Sequence, residues 1–238
     1  MMQKLLPVFL IFAGFLMKAQ EKQVLIFSKT EDFRHSSIEA GIQALQSLGN
    51  ENGFRTVTSQ DSRYFTENDL SKLNLIIFLN TSGDIFNLDE QNAFQAYMDN
   101  GGNFFGIHAA ADTELNWFWY TDLVGAKFNG HPAIQEASII IENRNHQTLK
   151  NFQEETWVRT DEWYNYKDIS EGLNVLMSLD ESSYKGGENG EFHPIAWYHN
   201  YRGGGISIYT GGGHTSESYS EPEFLDHLER SIKFAMSN

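Results

Sequence analysis

The sequence contains eight histidines, and five of them follow predicted strands or stand beside glycine or proline. These five are His35, His108, His131, His193 and His214. A histidine side chain can act as a general base, donate a hydrogen bond to a developing charge, or bind a metal ion. Because ligands bind beyond the carboxyl ends of the strands in open α/β sheets, we expect these side chains to converge on one pocket.

His108 is the central residue of the segment GIHAA, residues 106–110. Small residues two positions before and after a central residue are typical of a nucleophile elbow, a sharp strand-to-helix turn that exposes the central side chain. A histidine is seldom the lasting nucleophile of acyl transfer, so this spacing predicts a general base, an oxyanion-stabilising donor or a metal ligand. The chain has no cysteine, which excludes thiolate chemistry and cysteine-ligated metal centres.

Glu162 is the acidic residue that we expect to share acid–base catalysis with His108. It follows the alternating segment 155–160 and immediately precedes Trp163. A carboxyl group held against an aromatic wall has a raised pKa and can serve as an acid. The alternative interpretation is a solvated turn.

Three of the histidines, together with Glu162 or Asp112, would suit Zn²⁺, which accepts imidazole and carboxylate ligands. The metal-ligand candidates among the histidines are His35, His108, His131 and His214. No His-x-x-His or His-Glu-x-x-His spacing supports a metal site, so histidines that bind a sugar through hydrogen bonds are the alternative.

The residues expected to bind substrate lie in the loops that follow the predicted strands or beside aromatic residues. They are His35, Thr81, Asp84, Asp112, His131, Trp163, His193, His214 and Tyr219. Asp84 and Asp112 have an alternative use as caps of the helices that follow their strands. Of the other histidines, we expect His199 to be packed in the interior and His146 and His227 to lie on the surface.

The elements that must position these residues alternate between strand and helix. Apolar or alternating runs at 23–28, 54–58, 73–79 and 103–107 are separated by helical patterns, the first of which ends at Gly49. This order predicts an α/β fold, a flavodoxin-like three-layer α/β/α sandwich with a mostly parallel sheet.

The middle of the chain differs, because strand patterns follow one another with little helical periodicity. These strand patterns are predicted at 137–141, 155–160, 175–179 and 195–201. A last strand at 205–210 and an amphipathic helix return to the first pattern. We therefore predict one domain, residues 20–238, that encloses a β-rich, antiparallel insertion.

Residues 1–19 have the features of a secretory signal peptide: Lys4, an apolar run over 5–17, and Ala19 before the expected cleavage point. The run is short for a membrane span, and we expect no transmembrane span after the signal is removed. This predicts a periplasmic or secreted protein, with an uncleaved anchor as the alternative. The net charge of −15 makes nucleic acid an unsuitable partner.

Eight motifs in one order extend from residue 24 to the C-terminus and together resemble the ThuA-like, or trehalose-utilisation, family. They are FRH at 33–35, NTSGD at 80–84, GIHAAAD at 106–112, WY at 119–120 with LVGA at 123–126, HP at 131–132, TDEWY at 160–164, HPIAW at 193–197, and GHT at 213–215 with ESY at 217–219.

The resemblance implies a fold similar to that of class I glutamine amidotransferases and a place in sugar catabolism. It also implies no glutaminase activity, because His108 stands where those enzymes have the elbow cysteine. The family is linked to disaccharides and their 3-keto derivatives. We therefore expect an exported enzyme that acts on such a sugar as a hydrolase, lyase or isomerase. The alternative is a non-catalytic carbohydrate-binding protein.

The expected partners are a small carbohydrate and a sugar dehydrogenase of the same pathway. A hydride-transfer step would require that separate enzyme, because this sequence has no dinucleotide-binding fingerprint. A divalent metal such as zinc is the one cofactor that the residues suggest.

Overall fold

A computed structural model describes residues 21–237 of the chain. Its main sheet has nine strands, and a second sheet has two. The strands are β1 (Gln23–Phe27), β2 (Arg55–Ser59), β3 (Leu75–Leu79), β4 (Phe104–Ile107), β5 (Lys127–Phe128), β6 (Gln135–Ile141), β7 (Thr156–Asp161), β8 (Tyr166–Lys167), β9 (Asn174–Asp180), β10 (Pro194–Asn200) and β11 (Ile206–Thr210). The helices are α1 (Ile38–Asn52), α2 (Glu67–Leu70), α3 (Leu88–Asp99), α4 (Phe118–Val124) and α5 (Pro222–Ala235).

The nine strands have the order β2-β1-β3-β4-β11-β10-β9-β6-β7. The first five are parallel, and β10, β9, β6 and β7 extend the sheet with antiparallel pairs. The small sheet pairs β5 with β8. The prediction of an α/β fold with a mostly parallel sheet and a β-rich insertion is confirmed.

The central strands are apolar throughout because both of their faces are covered, as is usual in parallel sheets. On one face, Phe78 and Phe104 pack with residues of α3 such as Phe94. On the other face, Ile77 packs in a cluster that includes Leu45 of α1 and residues of α5. The three layers of the predicted sandwich are therefore present.

Two local predictions need correction. The first helix does not end at Gly49 but continues to Asn52, and Gly53 adopts the left-handed conformation that ends it. Gly49 instead allows close packing, because a Cβ atom there would lie 2.9 Å from the Phe54 carbonyl oxygen. Neither Asp84 nor Asp112 caps a helix, since Asn87 caps α3 through a capping box with Glu90.

The antiparallel extension curves back over the parallel part of the sheet. Strand β7 is the last in the sheet order, yet the Asp161 carboxylate at its end accepts a hydrogen bond from the Gly213 backbone N–H, beyond β11, at 2.8 Å. Arg159 of β7 reaches Glu221 at the start of α5 in the same way. This curvature places the end of β7 at the carboxyl edge of the parallel strands.

No helix among residues 21–237 is both long enough and apolar enough to cross a membrane. The predicted signal peptide, residues 1–19, lies outside the described residues.

Candidate functional site

Four side chains from four separate loops meet at the carboxyl edge of the parallel strands. They are His35, which follows β1, His108, which follows β4, Glu162, which follows β7, and His214, which follows β11. One nitrogen or oxygen atom from each lies within 4.8 Å of those of the others. His35, His108 and Glu162 are buried, whereas the His214 side chain is 19% exposed. We call these residues the His/Glu cluster.

His108 lies on the predicted elbow. Its φ of +48° is in the left-handed region, which is uncommon for residues other than glycine, and a short 3-10 helix, His108–Asp112, follows. The turn requires small neighbours, since a Cβ atom on Gly106 would already lie 3.0 Å from the Ala110 Cβ. The small-residue spacing in the sequence therefore has a steric cause.

The orientation of the His108 ring is set by one hydrogen bond. Its Nδ1 lies 2.8 Å from the carbonyl oxygen of Gly211, which can only accept, so Nδ1 carries the proton. In the neutral ring, Nε2 then has a free lone pair. That atom lies 3.2 Å from His214 Nδ1 and 3.5 Å from Glu162 Oε2.

Glu162 is shared among three histidines. Its Oε2 lies 3.0 Å from His214 Nδ1, and its Oε1 lies 3.0 Å from Nδ1 of the half-exposed His131. Burial by itself raises the pKa of Glu162, but hydrogen bonds with His108 and His214 outweigh burial and hold the pKa well below its usual range. The expectation of a raised pKa against an aromatic wall was wrong. Glu162 is therefore an ionised carboxylate, suited to stabilise a positive charge on a neighbouring histidine or to bind a metal ion.

His35 is 3% exposed, and its Nδ1 has no hydrogen-bond partner among the described residues. Its ring meets those of His108 and His214 edge-on, with centroids 5.0 and 4.9 Å apart. Burial, followed by the charges of His108 and His214, lowers the pKa of His35 to about 3. The imidazole of His35 is therefore neutral at physiological pH.

Asp161 is a site residue that the sequence analysis did not identify. Its fully buried carboxylate accepts hydrogen bonds from the backbone N–H groups of Gly213 and His214 and from the Ser218 hydroxyl, at 2.8–3.1 Å, and it pairs with Arg159 at 3.1 Å. It thus attaches the loop after β11 to the end of β7. The available signal was its place beside Glu162 at the end of an alternating strand.

Asn80 also holds loops of the site together through hydrogen bonds of its side chain. Its side-chain amide donates to the Ser37 hydroxyl and to the Gly213 carbonyl oxygen, both at 3.1 Å. Its Oδ1 lies 3.4 Å from the backbone nitrogen of Ala109, directly after His108. The loops after β1, β4 and β11 are therefore joined through one amide.

Three predicted substrate-binding residues are structural instead. His193 is fully buried, and its ring nitrogens are already bound to Glu181 Oε1 and the Tyr164 carbonyl oxygen, at 2.7 and 2.8 Å. Trp163 is also fully buried and donates to the Gln135 carbonyl oxygen, so it offers no exposed face to a sugar. The Tyr219 hydroxyl, likewise buried, donates to the carbonyl oxygen of Gly213.

Thr81 and Asp84 do not join the cluster either. The hydroxyl of buried Thr81 is hydrogen-bonded to that of Thr113 at 2.8 Å. Asp84 is exposed.

Among the remaining histidines, His199 is packed against the Leu123 carbonyl oxygen as expected. His227 was wrongly expected on the surface and is fully buried in α5.

Asp112 has a carboxyl group with a markedly altered pKa. Burial and then the negative charge of Asp32 raise the pKa of Asp112 to about 6, against a smaller opposing effect of His131. The same carboxyl contributes to the raised pKa of Tyr164, whose ring centroid lies 4.1 Å from that of His108. Asp112 therefore lies within electrostatic reach of the site and titrates near neutral pH.

A separate cavity of about 450 Å³ lies between α2 and α3, at the amino edge of the sheet, and is lined by residues such as Leu70, Ala93 and Tyr97. It is remote from the His/Glu cluster. We place the candidate site at the converging histidines rather than at this cavity, because ionisable groups with shifted pKa values cluster at functional sites.

The family model for trehalose utilisation, ThuA, matches residues 23–235. The chain belongs to the ThuA family. The family is linked to trehalose utilisation, so the resemblance predicted from the eight motifs is confirmed. A search of curated proteins found no match.

Solved structures agree with this assignment. A ThuA-like protein from Bacteroides uniformis is 26% identical, with a TM-score of 0.78 over 91% of this chain and 93% of that one. A second ThuA-like protein, from Parabacteroides merdae, is 16% identical, with a TM-score of 0.74 over 92% and 91% of the two chains.

The glutaminase domain of CTPS from Trypanosoma brucei, with acivicin bound, is 11% identical to this chain. It has a TM-score of 0.52 over 89% of this chain and 94% of that domain. At this identity the likeness shows the fold alone. The predicted likeness of the fold to class I glutamine amidotransferases is thereby confirmed.

Proposed function

We propose that this ThuA protein is an exported enzyme of carbohydrate catabolism that acts on a disaccharide or its 3-keto derivative by acid–base chemistry. Membership of the trehalose-utilisation family supports a sugar substrate. The lack of any cysteine supports the absence of glutaminase activity. The pattern of residues 1–19 supports a periplasmic or secreted location.

The observation that carries the proposal is a pair of carboxyl groups whose pKa values are displaced in opposite directions. Despite burial, hydrogen bonds with His108 and His214 keep the pKa of Glu162 low, whereas burial and Asp32 raise the pKa of Asp112 to about 6. Such a separation keeps Glu162 ionised beside the histidines and allows Asp112 to donate a proton. His131 lies near both, since its Nδ1 contacts Glu162 and its charge acts on Asp112.

A 3-keto glycoside suits this site because the keto group acidifies the neighbouring C2–H bond. In an elimination, Nε2 of His108 takes the C2 proton, and the Glu162 carboxylate stabilises the positive charge that forms on the ring. The electrons of that C–H bond form a C1–C2 double bond as the C1–O bond breaks, and the departing oxygen takes a proton from Asp112. Hydrolysis and isomerisation would use the same acid and base.

A non-catalytic carbohydrate-binding protein is the second candidate, and an exposed aromatic ring favours it. Phe33 is 64% exposed, and its ring centroid lies 4.8 Å from that of His35. The apolar face of a sugar ring can pack on such a side chain. Binding of this kind requires no proton transfer.

The substitution His108→Asn distinguishes the two candidates on a panel of disaccharides and 3-keto disaccharides. For an enzyme, we expect turnover to fall by about 10²–10⁴-fold, the usual contribution of a general acid–base group, with sugar binding retained. For a binding protein, the wild type has no turnover and the variant changes only in affinity. His199→Asn is the matched control, because His199 is packed against Leu123 outside the cluster. Unchanged turnover in His108→Asn would remove His108 from the mechanism.

A further inference from the structure

Three atoms of the His/Glu cluster form a small triangle. Nδ1 of His214, Nε2 of His108 and Oε2 of Glu162 are separated by 3.0, 3.2 and 3.5 Å. Ligand atoms at about 2.0–2.1 Å from a tetrahedral Zn²⁺ lie about 3.3 Å from one another. The triangle therefore has the dimensions of one face of a zinc coordination shell.

The three atoms of the triangle face one another in a largely buried place. Nδ1 of His108 is directed to the Gly211 carbonyl oxygen, so Nε2 is the nitrogen that faces Glu162 and His214. Imidazole nitrogens and carboxylate oxygens are ligands that Zn²⁺ accepts. A cation at the centre would contact all three atoms at once.

His35 provides an independent indication of a ligand. Its side chain is 97% buried, and Nδ1 has no hydrogen-bond partner among residues 21–237. A buried polar atom without a partner costs free energy unless something outside the protein satisfies it. One nitrogen of this ring lies within 4.8 Å of a possible ligand atom of His108, Glu162 and His214.

The surroundings resemble the outer shell of a metal site. Metal-bound histidines usually donate their second N–H group to a carbonyl or carboxylate oxygen, as His108 does to Gly211. The second oxygen of Glu162 is held by His131, and the backbone N–H of His214 is held by Asp161. His108 and Glu162 therefore have partners that fix the direction of their side chains, and His214 has one that fixes its backbone.

We infer that His35, His108, His214 and Glu162 bind one divalent transition-metal ion, with Zn²⁺ as the best fit to three imidazoles and one carboxylate. His131, a candidate ligand from the sequence, lies outside this set because its Nδ1 contacts the other oxygen of Glu162. The partly exposed side of His214 leaves a route by which a substrate oxygen could approach.

The ion would polarise a sugar carbonyl or hydroxyl oxygen as a Lewis acid, in place of proton transfer to His108, whose Nε2 would then be a ligand. That catalytic use rests on the function proposed above, whereas ion binding does not.

The test therefore measures metal binding first. The full chain is purified without chelators and without an affinity tag that binds metal, and its metal content is measured by elemental analysis. Zn²⁺ is then added back to the EDTA-dialysed protein in a calorimetric titration.

We expect about one ion per chain and a Zn²⁺-dependent rise in the unfolding temperature. Glu162→Gln and His214→Asn should each weaken Zn²⁺ binding by about 100-fold or more, while His131→Asn should weaken it by about 10–100-fold, as outer partners do. His199→Asn is the matched control and should bind Zn²⁺ as the wild type does. Co²⁺ in place of Zn²⁺ should give visible absorption bands that the ligand variants lose.

Zn²⁺ binding that is equally strong in the ligand variants would overturn the site, because the ion would then be bound elsewhere. The absence of stoichiometric metal, with no effect of Zn²⁺ on the unfolding temperature, would also overturn it. Metal bound without turnover on any sugar would support the ion site and count against the proposed enzyme. Circular dichroism of each variant separates lost binding from lost folding.

Discussion

Nδ1 of His108 donates a hydrogen bond to the carbonyl oxygen of Gly211 across 2.8 Å, which joins the elbow after β4 to the loop after β11. The two strands are parallel neighbours in the sheet, so their carboxyl ends lie side by side. This bond decides which nitrogen of His108 faces Glu162 and His214. The chemistry of the elbow therefore depends on a backbone atom 103 residues away in the chain.

Gly211→Ala tests this dependence. A Cβ atom at this position would lie 2.4 Å from the Tyr166 hydroxyl and 2.5 Å from Ile195 Cδ1, so the carbonyl must shift. The Tyr166 hydroxyl is buried and hydrogen-bonded to that of Tyr209, which limits its movement. We expect a loss of about 1–3 kcal/mol in the free energy of unfolding, as for overpacked cores.

The specific measurement is the ¹⁵N NMR signature of the His108 ring. The wild type should show the tautomer protonated at Nδ1, and Gly211→Ala should show a mixture. Gly190→Ala is a control in open space, where only the positive φ of +73° penalises alanine. An unchanged tautomer in Gly211→Ala would show that the Gly211 carbonyl does not orient His108.

Asp161→Ala should destabilise the protein strongly. The substitution leaves Arg159 buried without one of its partners, and loss of one member of a buried ion pair costs about 3–5 kcal/mol. It also releases the backbone N–H groups of Gly213 and His214. Chemical denaturation measures the change. Glu155→Ala, which breaks an exposed pair with Arg144, should cost less than about 1 kcal/mol, and an equal loss in the two variants would contradict the scaffold role of Asp161.

Asp112→Asn should make the protein less sensitive to rising pH. The folded pKa of Asp112 is raised by burial and by Asp32 to about 6, above the value of 3.8 for an unperturbed group. Between these values the native state binds more protons than the unfolded state, so wild-type stability falls as pH rises from about 4 to 6. The variant should lose this decrease and be the more stable protein at pH 7.

The measurement is the free energy of unfolding at several pH values between 4 and 8. Asp84→Asn is the control, because Asp84 is exposed. If Asp112→Asn were less stable than the wild type at pH 7, the Asp112 carboxylate would have a stabilising partner that outweighs its burial.

His227→Leu should make the stability of the protein less sensitive to falling pH, whereas Asp112→Asn should make it less sensitive to rising pH. The ring is fully buried in α5. Burial, against a smaller opposing effect of the Thr148 backbone, lowers the pKa of His227 to about 4, and Arg159 and His146 add to this in the same direction. Below the unperturbed value of 6.5 the unfolded state takes up the proton first. Wild-type stability is therefore lost as pH falls from about 6.5 to 4, by up to about 1.4 kcal/mol per pH unit.

Denaturation of the wild type and His227→Leu at pH 7.5, 6 and 5 checks this prediction. The stability difference in favour of the variant should grow on acidification. His146→Leu, at a partly exposed position, provides the comparison. Parallel pH profiles for the wild type and His227→Leu would mean that His227 is protonated equally in the folded and unfolded states.

Local patterns in the sequence were sufficient for the strands of the main sheet and for the elbow, although not for the end of the first helix or for α4, β5 and β8. The apolar run of β3 extends over only a few residues, and its pattern by itself predicts a buried strand. The small residues around His108 likewise permit the sharp turn through local steric effects. The position of His108, His35 and His214 at strand ends followed from the same patterns. Glu162 was identified because it follows a strand, although its pKa was placed on the wrong side of the usual value.

Only the tertiary structure decided which of these residues act together. Asp161 and Gly213 are 52 positions apart and meet because the antiparallel extension curves back over the parallel strands, and no local pattern encodes that curvature. The same is true of burial: Trp163 follows a strand as His108 does and His193 directly precedes one, yet their polar atoms are already bound within the protein. Residue type and spacing determined the chemistry that is available here, and packing between distant segments determined which side chains can perform it.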